Sequence, residues 1–128
     1  MNTPDIQQQR PFRVLLIGDS CIDEYKIGTV DRLSPEAPVP VIRIVNTEQL
    51  PGMAANVKIN LENLGITPDF ITNDAQILKT RYIDQRSGQH MLRVDSEPWV
   101  PEWNGETLLA IDEYDAIIIS DYNKGFLS

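Results

Sequence analysis

The chain has 128 residues, 41% of them hydrophobic, which is enough to bury one ordinary core with a projecting flap but not two full domains. Its 19 acidic against 11 basic residues give a net charge of -8, without the positive face that grips nucleic acid or an anionic membrane, so neither is an expected partner. One cysteine, no Cys/His cluster of zinc-site spacing, no apolar leader and no apolar run near the roughly 20 residues that span a bilayer together predict a cytoplasmic protein without a metal.

Residues 1–11, with Gln7-Gln8-Gln9 and two prolines, read as a flexible leader ahead of a single domain over 12–128. Val14-Leu15-Leu16-Ile17, closed by Gly18-Asp19, is a short apolar run of the kind that forms a parallel strand buried on both faces. Val39 to Val45 alternates around Pro40, which predicts an edge strand. Pro51-Gly52 then leads tightly into Ala54–Leu64, whose apolar residues at 54, 57, 61 and 64 form a helical stripe ending at Gly65, the place of a C-terminal cap. Phe70-Ile71-Thr72 predicts another strand. Arg81 to Asp95 reads as two strands turning at Ser87-Gly88. With Val39–Val45 these form a small antiparallel flap, or lid, over about 30–47 and 79–96. Trp99 and Trp103, among Pro98 and Pro101, belong to a loop packed on the surface. A second helix is expected over Glu106–Tyr114. Ala116-Ile117-Ile118-Ile119, closed by Ser120-Asp121, repeats the first strand's design. Strand, crossover, helix, strand is the grammar of an open α/β sheet.

In such sheets ligands bind beyond the carboxyl ends of the parallel strands, where Asp19, Asp23 and Asp121 fall. Carboxylates there accept hydrogen bonds from vicinal hydroxyls, which suits a polyol or sugar; the alternative is that they cap loops. Gly52-Met53-Ala54-Ala55-Asn56 opens a helix with small residues, so a ligand can approach backbone N–H groups at the positive helix end; the alternative is close helix packing. It is no P-loop, since no Gly-Lys-Ser/Thr follows. Lys79, Arg81 and Arg93 on the flap can meet an anion such as a sugar phosphate or simply solvate a sheet face. His90 lacks a triad partner, and Cys21 reads as a packed thiol rather than a nucleophile.

Taken in order, Gly18-Asp19 with Asp23, the string Leu33-Ser34-Pro35-Glu36-Ala37-Pro38-Val39-Pro40-Val41, Pro51-Gly52-Met53-Ala54-Ala55-Asn56-Val57, Lys79-Thr80-Arg81, Leu92-Arg93-Val94-Asp95 and Ser120-Asp121-Tyr122-Asn123-Lys124-Gly125 resemble the N-terminal part of the ribokinase-like PfkB carbohydrate kinases. The nearest resemblance is to the heptose-7-phosphate kinase domain of bifunctional ADP-heptose synthases. It implies a truncated three-layer α/β sandwich whose β lid closes over the sugar and mediates dimerisation. It also implies that Asp23 and Asn56 hold sugar hydroxyls, that the Gly52 backbone lies against the sugar, and that Lys79 and Arg81 approach its phosphate. Asp19, Arg32 and Lys124 are further members of that set.

Three departures bear on function. Met53 stands where the family has the second glycine of a pair, so its side chain is expected at the sugar. Between Thr72 and Lys79 the family carries another helix and strand, so a smaller sheet is expected. The family's Gly-Ala-Gly-Asp segment, with its anion hole and catalytic base, does not occur in these 128 residues, nor do the strands that hold ATP. ATP and magnesium are therefore implied only for the complete family enzyme. The expected function is a sugar-phosphate-binding module inactive by itself. The alternatives are one half of a split kinase, whose partner chain supplies the nucleotide site, and a structural self-association domain.

Overall fold

The computed structural model describes residues 10–127, so most of the expected leader lies outside the described residues. The core is a three-stranded parallel sheet of β1 (Val14–Gly18), β4 (Asp69–Ile71) and β7 (Ala116–Ser120), in the order β4-β1-β7. β1 is buried along its whole length, as its apolar run predicts. β7 differs: Ile119 is 67% exposed because β7 is an edge strand of a sheet only three strands wide, and its residues alternate between a covered and an open face.

A second sheet of four strands forms the lid: β2 (Ser20–Leu33), β3 (Pro40–Met53), β5 (Ile77–Asp84) and β6 (His90–Ser96), in the order β3-β2-β5-β6. Pro40 opens an edge strand, and the 84–90 turn closes a hairpin. The lid is larger than expected and mixed, since β2 and β5 pair in parallel between two antiparallel pairs. Parallel strands need a crossover, and the chain between β3 and β5 passes through α1 (Ala54–Asn63) and β4 to provide it.

α1 ends as its sequence predicts. Gly65, at φ 82°, donates to the Glu62 carbonyl at 2.9 Å, and Ile66 donates to Leu61 at 3.0 Å, the paired bonds of a Schellman cap. The stripe is shallower than its spacing suggests, because Leu64 is 77% exposed beyond the last turn. The expected second helix is a 3-10 segment over Glu106–Glu113, entered from left-handed Gly105 and kinked at Ala110. Of the two tryptophans, Trp103 stacks on Phe126 at 6.4 Å while Trp99 stands 81% exposed. The core cluster holds Leu15, Ile17, Cys21, Met53, Ile77, Val100 and Phe126.

The short connector after β4 is held by a side chain rather than by a further strand. Asn73 accepts from the Ser20 N–H at 2.7 Å and donates to the Ser20 carbonyl at 3.1 Å, and it also donates to the Ala75 carbonyl at 2.6 Å. Its amide thus satisfies the backbone of Ser20, where β2 begins, as a neighbouring strand would.

Candidate functional site

The carboxyl ends of the core strands open toward the lid, and a cavity of about 520 Å³ lies between the lid and the start of α1. Asp23, Gly52, Met53, Asn56, Lys79 and Arg81 all line it, together with Cys21, Tyr25, Leu50, Pro51, Ile59 and Tyr122. Strand pairing accounts for this convergence. In register, Cys21 faces Gly52, Asp23 faces Lys79, and Tyr25 faces Arg81. Residues two apart on a strand share a face, so Asp23 and Tyr25 of β2 meet Lys79 and Arg81 of β5 on the cavity side.

Arg81 donates to Asp23 across 2.8 Å, with the two side chains 20% and 24% exposed. This bond holds the guanidinium more firmly protonated, and the Arg81 cation also lies 5.3 Å from the centre of the Tyr25 ring. Lys79 makes no ion pair among the described residues. Burial, reinforced by the Asp23 charge, pushes the Cys21 thiol up, which suits a packed wall residue rather than a nucleophile. Gly52 leaves no room for a side chain: a Cβ there would lie 2.4 Å from Oδ2 of Asp23 and 2.5 Å from Sγ of Cys21. The opposite face of β2 carries a separate network in which Gln49 and Thr80 donate to Glu24. The Gln49 amide, with Thr80 and Lys26, holds that carboxyl below its ordinary range against the effect of burial.

Met53 sits at the N-terminus of α1 with φ 56° and ψ -129°, a conformation natural to glycine. Its side chain turns into the core cluster and is 7% exposed, so it packs beneath the site rather than filling it. The strain of such a backbone is about 1–3 kcal/mol, and burying a methionine offsets it by a similar amount. Met53→Ala, which loses the burial and keeps the strain, is therefore expected to lower stability in urea unfolding, and to be about 1 kcal/mol less stable than Met53→Gly, which loses both. The reverse order would refute the strain argument.

Three expected site residues fall outside the cavity wall. Asp19 is fully buried and its carboxylate is spent on the 122–126 loop, accepting from the N–H groups of Tyr122 at 2.9 Å and of Lys124 and Phe126 at 3.4 Å. Arg32 lies exposed toward the far end of β2, by a separate groove with Asp31 and Arg43. Lys124 pairs with Glu97 at 2.6 Å. Asp121 accepts from the Asn123 N–H at 2.7 Å, a loop cap. Tyr25, Ile59 and Tyr122 were not expected in the site. Two-residue spacing from Asp23 would have pointed to Tyr25, and helical spacing from Asn56 to Ile59.

The described residues provide no group of three or more His, Cys, Asp and Glu side chains fit to hold a metal ion, and the sequence contains no Gly-Lys-Ser/Thr phosphate loop. No described helix is long and apolar enough to cross a membrane.

A parallel α/β core with a β-sheet lid over a polar cavity is a ribokinase-like arrangement. The chain is a part-length relative of the bifunctional protein HldE, consistent with the N-terminal part of a PfkB-type carbohydrate kinase. It is 34% identical to HldE of Shewanella amazonensis over 146 residues, covering 88% of this chain and 30% of that protein. It is 38% identical to HldE of Hyphomonas neptunium over 152 residues, covering 91% and 31%. With HldE of Alcanivorax borkumensis it shares 34% over 133 residues, covering 100% and 27%. The chain thus spans about 30% of the length of the curated relatives it matches. No protein-family model matches it. Among solved structures, a ribokinase from Thermotoga maritima has a TM-score of 0.39 at 14% identity, covering 67% of this chain and 36% of that one. A carbohydrate kinase from Agrobacterium tumefaciens has 0.41 at 12%, covering 68% and 36%.

Proposed function

We propose that this chain binds a phosphorylated sugar of the heptose phosphate class in the cavity between the lid and α1, as the substrate-holding part of a PfkB-type kinase in the cytoplasm. The observation that carries this reading is the convergence of a hydroxyl acceptor, Asp23, an amide, Asn56, and two cations, Lys79 and Arg81, around one cavity with the Gly52 backbone at its wall. Phosphoryl transfer depends on positioning and on stabilising the charge of the moving group, so a nucleotide site and a base must come from polypeptide other than these residues. Calorimetry with heptose 7-phosphate tests the binding: wild type is expected to release heat at sub-millimolar ligand, and Lys79→Met to weaken binding about tenfold. Folded wild-type protein that stays silent at millimolar ligand would refute the reading.

Two surfaces support association. Val30, Val39, Pro40, Ile42, Tyr82, Met91 and Leu92 line an apolar groove of about 470 Å³ on the lid, which supports a homodimer through the lid. Edge strand β7, with Ile117 and Ile119 exposed, supports a partner polypeptide that continues the core sheet and brings the nucleotide site. Light scattering separates them: a dimer that Leu92→Lys abolishes assigns self-association to the groove, whereas a dimer indifferent to Leu92→Lys but lost in Ile119→Lys assigns it to β7. A monomer at high concentration rules out the homodimer.

A further inference from the structure

The ion pair inside the cavity occupies the same carboxylate that the sugar reading needs. Oδ1 of Asp23 is bonded to Arg81 at 2.8 Å, and Oδ2 lies so close to Gly52 that no Cβ fits between them. On its other side Arg81 rests over the ring of Tyr25. A neutral sugar that offers hydroxyls to Asp23 has to compete with a charged donor, and displacing that donor leaves a largely buried cation without a partner. An anionic group on the ligand changes this balance. Placed between Lys79 and Arg81, it gives the guanidinium a replacement partner and leaves Asp23 free to accept hydroxyls.

We infer that the Asp23–Arg81 pair is a latch, which makes hydroxyl recognition by Asp23 conditional on an anionic group carried by the same ligand. The inference rests on the sugar-phosphate reading of the cavity and adds to it a source of specificity. Phosphorylated sugars are favoured because they release Asp23, in addition to the contact their phosphate makes, so the two halves of the ligand are coupled. Tyr25 is a positioning residue that holds Arg81 in reach of Asp23.

Calorimetry with heptose 7-phosphate and with unphosphorylated heptose, on wild type, Arg81→Met, Tyr25→Leu and Tyr25→Phe, tests the latch. Wild type is expected to prefer the phosphate on the order of 100-fold. Arg81→Met is expected to lose most of that preference and to bind free heptose several-fold more tightly than wild type, because Asp23 is no longer occupied. Tyr25→Leu should move both affinities the same way by less, and Tyr25→Phe, which keeps the ring, should match wild type. A simple phosphate contact would predict no gain for free heptose, and that result in Arg81→Met overturns the latch. If Arg81→Met fails to fold, the same absence of gain in Tyr25→Leu does so. Equal wild-type affinity for the two sugars also overturns it while leaving sugar binding intact, whereas wild type that binds neither removes the reading beneath it as well.

Discussion

Gly52→Ala is expected to abolish detectable sugar-phosphate binding and to lower stability by about 2–3 kcal/mol, the upper part of the range for an overpacked site. The added methyl would stand 2.4 Å from Oδ2 of Asp23 and 2.5 Å from Sγ of Cys21, both far inside van der Waals contact. These neighbours differ in their freedom to move. Asp23 is partly exposed and can rotate away, but only by giving up its bond to Arg81, whereas Cys21 is walled in by the core cluster. The stability cost therefore falls mainly on the thiol and the binding cost mainly on the carboxylate. A double-mutant cycle separates them. Adding Cys21→Ala to Gly52→Ala should recover about half of the lost stability by denaturant unfolding while calorimetry still detects no binding. Restored binding in the double variant would show that Asp23 is not the group that meets the ligand.

The parts of this structure legible in the sequence are those in which one physical requirement dominates. β1 had to be apolar throughout because both faces are covered, and α1 ends at Gly65 because a left-handed residue closes its last turn. The 84–90 hairpin follows from alternation and a Ser-Gly turn. β2 was missed as a strand from Ser20 to Leu33 because both of its faces are polar for different reasons: Asp23 and Tyr25 face the cavity, while Glu24 is buried under Gln49 and Thr80. A strand loaded in this way shows no apolar period to read. Its parallel pairing with β5 was equally illegible, since it depends on the path of the intervening chain. In the site, Asp23, Gly52, Asn56, Lys79 and Arg81 could be anticipated from motifs because register carries motif spacing directly into space. Asp19 could not be resolved that way. A carboxylate after a buried strand can face a ligand or fold a loop, and only the 122–126 backbone decides between them.

That assignment predicts the second large effect. Asp19→Ala is expected to cost about 3–4 kcal/mol, since hydrogen bonds to a charged acceptor contribute roughly 1.5–3 kcal/mol and two of the three here are long. Removing the carboxylate also relieves a buried charge, but the N–H groups aimed at it stay behind, and that of Phe126 belongs to a buried residue. The loop should then loosen, and with it Tyr122 at the cavity wall, so binding weakens although Asp19 never reaches the ligand. Asp19→Asn should fall between wild type and Asp19→Ala, because its amide keeps one acceptor and turns a donor toward another N–H. Denaturant unfolding gives the energies, and amide exchange at Tyr122 and Phe126 should speed up in both variants before any change at Leu15 or Leu16 in β1. A cost below 1 kcal/mol with unchanged exchange at those two amides, together with lost binding, would move Asp19 from the loop's foundation into the ligand site itself.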